Sequence, residues 1–239
     1  MTVMEDRLQA ALRHDISGIA KRVIIGLNWT YVEGPVGAGL VHTPVRGTEG
    51  CHSLPDTGKY QGRGLADLAA LMGSDNIFER VLGYAAANAH HNRYDLEGMT
   101  TNGLDMIKPC VERTVVVGRF PKVNEKLPGA AVIEREPGPG DYPPEAAVEL
   151  IPAAKYLAIT ASTLSNGSLA GLLALAPESA FTVLVGPSAP LCPALFALGV
   201  NALSGLVPED LNSTARRVAE GGSVRALKPV GRSVTLIPD

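Results

Sequence analysis

From Tyr156 to Val207 the chain carries a single charged side chain, Glu178. A stretch so poor in charge must be buried, either in a bilayer or in a protein core. Pro187, Pro190 and Pro193, together with Gly186, break any helix long enough to span lipid, where nothing would satisfy the freed backbone groups. What remains is a sheet covered on both faces. The runs Tyr156–Thr160 and Phe181–Val185 are apolar without alternation, as parallel strands buried on both sides are. Residues 114–118 and 130–133 repeat the pattern upstream, the second run ending at Glu134. Helices are expected at 169–176, Pro193–Leu198 and Leu211–Ala219. This alternation predicts an open, doubly wound sheet. Residues 224–227 and 233–237 read as a closing hairpin through Pro229-Val230-Gly231. The Pro-rich segment 136–144 reads as a loop that rims the crevice.

The first third reads differently. Residues 3–14 are spaced as an amphipathic helix with Leu8, Ala11 and Leu12 on one face. Residues 23–30 read as a strand paired with 39–43 across the turn at 33–37. Helices at 65–72 and 77–89 come next, the second capped by Ser74, Asp75 or Asn76. Sheet first and helices after make a small α+β unit.

With 46% apolar and 19% charged residues and a net charge of −3, no basic cluster is available to neutralise phosphates, so nucleic acid is not an expected partner. Neither is a membrane. The N-terminus lacks the basic flank and apolar run of a secretory signal. Cys51, Cys110 and Cys192 form no CxxC pair, which argues against a disulfide framework or zinc ribbon and for a reducing cytoplasm. A homodimer is the commonest assembly for such a chain.

Open parallel sheets bind ligands beyond the carboxyl ends of their strands. The residues just past successive strands are Gly118 and Phe120, then Glu134, then the segment 160–168, then Gly186, Pro187 and Ser188. The third group is richest, with Ser162, Thr163, Asn166 and Gly167 crowding polar groups before an apolar helix. That arrangement suits an anion, although the same residues are also what an ordinary helix cap uses. Neither G-x-G-x-x-G nor a P-loop occurs, so ordinary dinucleotide binding is disfavoured, while Glu134 stands where such folds place a ribose partner. His90 and His91 are adjacent on a helix and point about 100° apart, which is poor geometry for one metal. His42, Cys51 and His52 match no zinc spacing. Cys192 opens a helix, where a thiol pKa would fall, but buried apolar filler is the commoner role.

The run Thr160-Ala161-Ser162-Thr163-Leu164-Ser165-Asn166-Gly167-Ser168, then 185–191, Leu195-Phe196, Gly199-Val200, Leu203-Ser204-Gly205 and Asp210, resembles the family called the putative heavy-metal chelation domain. Asn76, Glu79, Gly83, Ala86, Asn88, Ala89 and Asn92 are similar to the small domain that precedes it. The resemblance implies an enolase N-terminal-like α+β domain over residues 1–108 and a Rossmann-like domain over 109–239. It also implies a pocket built jointly by the two, to which Asn88 and Asn92 would contribute a lid. A transition metal or metal chelate is the implied cofactor class, held through oxygen and amide groups or an organic chelator.

Two functions stay open on this basis. One is a binding protein for a small molecule or metal complex between the domains. The other is an enzyme acting on a small anionic substrate, with a nucleotide or nucleotide-derived cofactor at Gly118 and Glu134.

Overall fold

The computed structural model describes residues 2–44, 53–107 and 113–238. Cys51, His52, Cys110 and the expected boundary at 108/109 lie outside them. Helix α1 (Val3–Arg13) starts where the Thr2 hydroxyl accepts the Glu5 N–H, with Glu5 and Asp6 in the first turn and Arg13 in the last, as the helix dipole favours. Its buried face, Leu8, Gln9 and Leu12, packs on elements of the large sheet's layer.

Strands β1 (Arg22–Ile25), β2 (Trp29–Glu33) and β3 (Ala38–His42) form an antiparallel meander. The strand expected at 23–30 is therefore broken. The chain reverses at Gly26, whose N–H donates to the Trp29 carbonyl and whose Cα lies so near the Val218 carbonyl that a Cβ would stand 2.4 Å from it. Residues 39–42 consequently pair with β2, and Trp29 sits directly across from His42.

Helix α2 (Leu65–Ala69) runs into a 3-10 turn, Ala70–Gly73. Helix α3 (Ile77–His91) is capped by Asn76, which accepts the Phe78 and Glu79 N–H groups. Every residue from Val81 to Ala89 is buried, because α3 is pressed between the meander and α2 with its 3-10 turn. The opposite face of the meander is covered too: Trp29, Tyr31 and Leu40 cluster with Leu206, Val218 and Leu227.

The second layer comprises β4 (Thr114–Val117), α4 (Val123–Lys126), β5 (Ala131–Ile133), α5 (Ala147–Leu150), β6 (Tyr156–Thr160), α6 (Ser162–Ser165) and α7 (Leu169–Leu175). Then come β7 (Phe181–Val185), the 3-10 turn Pro193–Leu198, β8 (Ala202–Pro208), α8 (Leu211–Ala219), α9 (Val224–Leu227) and β9 (Gly231–Leu236). The sheet order is β5-β4-β6-β7-β8-β9, parallel except for β9, which returns antiparallel to β8. This is the Rossmann-like, mostly parallel sheet expected, placed after a small α+β unit.

In this layer β8 and residues 224–227 differ from expectation. β8 is an additional strand, buried along its whole length; Ser204 and Gly205 interrupt its apolar run. Residues 224–227 are helical, not half of a hairpin. Val224 and Leu227, three apart, both reach the cluster around Trp29, and the Arg217 guanidinium satisfies the Ala226 carbonyl. The hairpin is made by β8 and β9 instead. Among the described residues no helix is long and apolar enough to cross a membrane.

Candidate functional site

Strand order reverses between β4 and β6, since β5 lies to one side of β4 and β6 to the other. A crevice opens at such a switch point. Gly118 occupies it, with φ of +91°, and a Cβ there would stand 2.5 Å from Thr160 Cγ2. Only glycine lets β4 end this close to β6.

Beside it lies a cleft of about 140 Å³ where both layers meet. Its floor is Thr160, Ala161 and Ser162 from the end of β6, and its wall is Gly186, Pro187 and Ser188 from the end of β7. Trp29 and His42 close it from the meander. The Thr160 and Ser162 hydroxyls are 3.1 Å apart and hydrogen-bonded to each other. The Ser188 hydroxyl accepts the His42 backbone N–H at 3.0 Å, which ties the wall to β3. The Trp29 and His42 rings meet edge to face, 5.8 Å between centroids.

The indole N–H of Trp29 is buried and has no acceptor. Leaving such a donor unpaired costs about 1–3 kcal/mol. His42 keeps an exposed edge, but burial of the rest of its ring lowers its pKa below 6.5, so the imidazole is neutral at pH 7.

Of the residues singled out in the sequence, Ser162, Gly186, Pro187 and Ser188 are thus brought together. Thr163 instead turns inward and donates to the Thr160 carbonyl at 2.6 Å. The Asn166 side chain accepts from the Ser168 N–H and hydroxyl, closing a turn in which Gly167 takes φ of +80° beside Arg80. Asn88 and Asn92 form no lid. Their amides are consumed in binding the two layers: Asn88 donates to the Leu40 and Ser188 carbonyls, Asn92 to those of Ala189 and Leu206, and the Asn92 side-chain oxygen accepts the Leu191 N–H. Glu134 spans the Arg119 and Arg135 backbone N–H groups at 2.7 and 2.8 Å. Phe120 lines a larger depression of about 450 Å³, bounded by residues 119–125 alone, on which no second element converges. The 136–144 loop extends from the sheet's edge strand, where Tyr142 bridges Ile133 and Arg119 pairs with Asp141. It does not rim the cleft.

Sequence reasoning did not place Trp29 and His42 in the site. Their partnership depends on the β2–β3 register, which the unrecognised turn at Gly26 conceals.

Among the described residues no group of three or more His, Cys, Asp and Glu side chains could hold a metal. The His90 and His91 rings meet edge to face, 5.0 Å between centroids and 82° between planes. The His91 Nε2–H donates to the Leu12 carbonyl at 2.9 Å, pinning α1 to α3, and burial lowers both imidazole pKa values. Such groups stabilise the fold fully above 6.5, their ordinary pKa, and lose that contribution as pH falls through the lowered folded values. The urea midpoint should therefore fall between about pH 6.5 and 5, and His91→Gln, which keeps a donor for Leu12, should flatten that fall. An unchanged slope in the variant would refute the assignment.

Cys192 starts its 3-10 turn, but burial outweighs the backbone N–H groups and raises its pKa. In the native protein its peptide should resist iodoacetamide at pH 8 and react only on unfolding. Rapid native labelling would contradict this.

A family model described as "Putative heavy-metal chelation" matches residues 103–237, and a second with the same description matches residues 9–91. Among solved structures, the chain is similar to a protein of unknown function from the DUF364 family of Desulfitobacterium hafniense DCB-2. The TM-score is 0.85 at 27% identity, over 98% of each chain. A DUF364-family protein of unknown function from Pyrococcus horikoshii shares the fold, with a TM-score of 0.81 at 20% identity over 99% of this chain and 100% of that one. No curated protein matches.

Proposed function

Since the chain belongs to the DUF364 family, whose description is "Putative heavy-metal chelation", we propose that it is a small-ligand-binding protein with its site in the cleft between the two layers. A metal would be held there in combination with other donors, not as a naked ion. The protein would act in the cytoplasm. The observation that carries this reading is the cleft itself, where the ends of β6 and β7 bring Thr160, Ser162 and Ser188 against Trp29 and His42 of the meander. A concave site with a few convergent polar groups, built jointly by two layers, is the usual form of a small-ligand site.

Glu134 is held by the Arg119 and Arg135 backbone N–H groups, one on each oxygen, at the end of β5 and outside the cleft that both layers build.

Thermal unfolding tests the proposal against divalent metals, small metal chelates, the chelators alone, and ATP, NAD and S-adenosylmethionine. A ligand at 100 times its Kd adds about 2.7 kcal/mol, on the order of 5–10 °C in Tm for a chain this long. His42→Ala should abolish the shift while leaving the unliganded Tm nearly unchanged, since the side chain has an exposed edge. A shift that survives His42→Ala would place the site elsewhere.

A further inference from the structure

We infer that the cleft between the layers is built to hold a small oxyanion and not a bare metal cation. The inference rests on the reading of that cleft as the ligand site and names the class of ligand.

No lining residue carries a carboxylate, a thiol, an ammonium or a guanidinium, and one imidazole is present. A divalent cation entering it would exchange its water shell for a single nitrogen and some hydroxyls, with no anionic ligand to offset its charge. The donors favour the opposite sign of charge. Ser188 accepts the His42 backbone N–H and keeps its own hydroxyl proton to donate. The Thr160 and Ser162 hydroxyls bond to each other, which uses one of their two protons and leaves the other to donate. Neutral His42 can add a ring N–H.

Fixed, uncharged donors spread an anion's charge without the desolvation that a counter-cation would require. Size agrees. At about 30 Å³ for each water, a space of about 140 Å³ holds roughly four or five, the bulk of a tetrahedral oxyanion or short carboxylate. Several heavy elements exist in water as tetrahedral oxyanions, so a cleft without metal ligands does not conflict with the family's description.

Trp29 is the only tryptophan, so its fluorescence reports on this cleft alone. The protein is titrated at constant ionic strength with sodium sulfate, phosphate, molybdate and acetate, and separately with zinc and copper(II) chlorides. The expected result is a saturating change with at least one oxyanion, reversed in competition by a second. Ser162→Ala should weaken it at least tenfold. Thr160→Val, which removes the paired hydroxyl at nearly constant shape, should do the same and covers the case in which Ser162→Ala fails to fold. Saturation by the metal chlorides without any by the oxyanions overturns the inference and leaves the cleft standing as a site. No change with any probe overturns both.

Discussion

Asn92→Ala is expected to destabilise the protein by about 3–5 kcal/mol, read as a lower urea midpoint at unchanged m. The side chain is fully buried and serves three backbone groups. Its nitrogen donates to the Ala189 and Leu206 carbonyls at 3.1 and 3.4 Å, and its oxygen accepts the Leu191 N–H at 2.9 Å. Alanine leaves all three without partners in a place water does not reach, and each orphan costs about 1–3 kcal/mol. Leucine or aspartate would do no better: the first supplies no polar atoms, the second buries a charge. Asn88→Ala removes two bonds, to Leu40 and Ser188, and should cost less, about 2–3 kcal/mol. Because both asparagines hold the 186–191 segment, the double variant should cost less than the sum. A loss below about 1 kcal/mol for Asn92→Ala would mean that the layers are joined by apolar packing alone. The same segment forms the cleft's wall, so surviving protein should also bind its ligand more weakly.

Gly39→Ala should be at least as severe, costing more than about 3 kcal/mol or preventing folding. β3 crosses α3 so closely that a Cβ at this position would lie 2.0 Å from the Ala85 carbonyl oxygen and 2.6 Å from the Ala89 nitrogen. Both are helix backbone, so nothing yields unless strand and helix separate. Separation opens a void along a face buried from Val81 to Ala89. Gly171→Ala provides the contrast. It lies in the interior of α7, is exposed, and has nothing within 4 Å of the added methyl. That substitution should stabilise by about 0.5–1 kcal/mol through helix propensity. Equal melting temperatures for Gly39→Ala and the parent would show that the close approach is not a native feature.

The sequence by itself determined the class of the large sheet. A charge-free run broken by prolines has few ways to be buried, and parallel strands between helices satisfy it, so β4, β5, β6 and β7 fall where their apolar runs lie. It also pointed to the ends of β6 and β7, because strand ends in such sheets are where ligands bind, and Ser162 and Gly186–Ser188 do converge there. β8 escaped because Ser204 and Gly205 interrupt its apolar run. A strand buried on both faces needs no side-chain bulk where a neighbour is close, and a Cβ on Gly205 would stand 2.9 Å from the Ala189 carbonyl.

Only the tertiary structure decided the rest of the site. A polar residue near a strand end can face a cleft or bind backbone nearby: Thr163 and Asn166 close local turns, and Glu134 accepts the Arg119 N–H past the end of the adjacent strand. Asn88 and Asn92 bind carbonyls a hundred residues away, which no local pattern records. Trp29 and His42 meet because a turn at Gly26 sets their register and because α3 and Val218 fix the meander from both sides. Periodicity reports which side chains must leave water. Which of them meet depends on long-range packing, where one residue's register or one missing Cβ sets the distance.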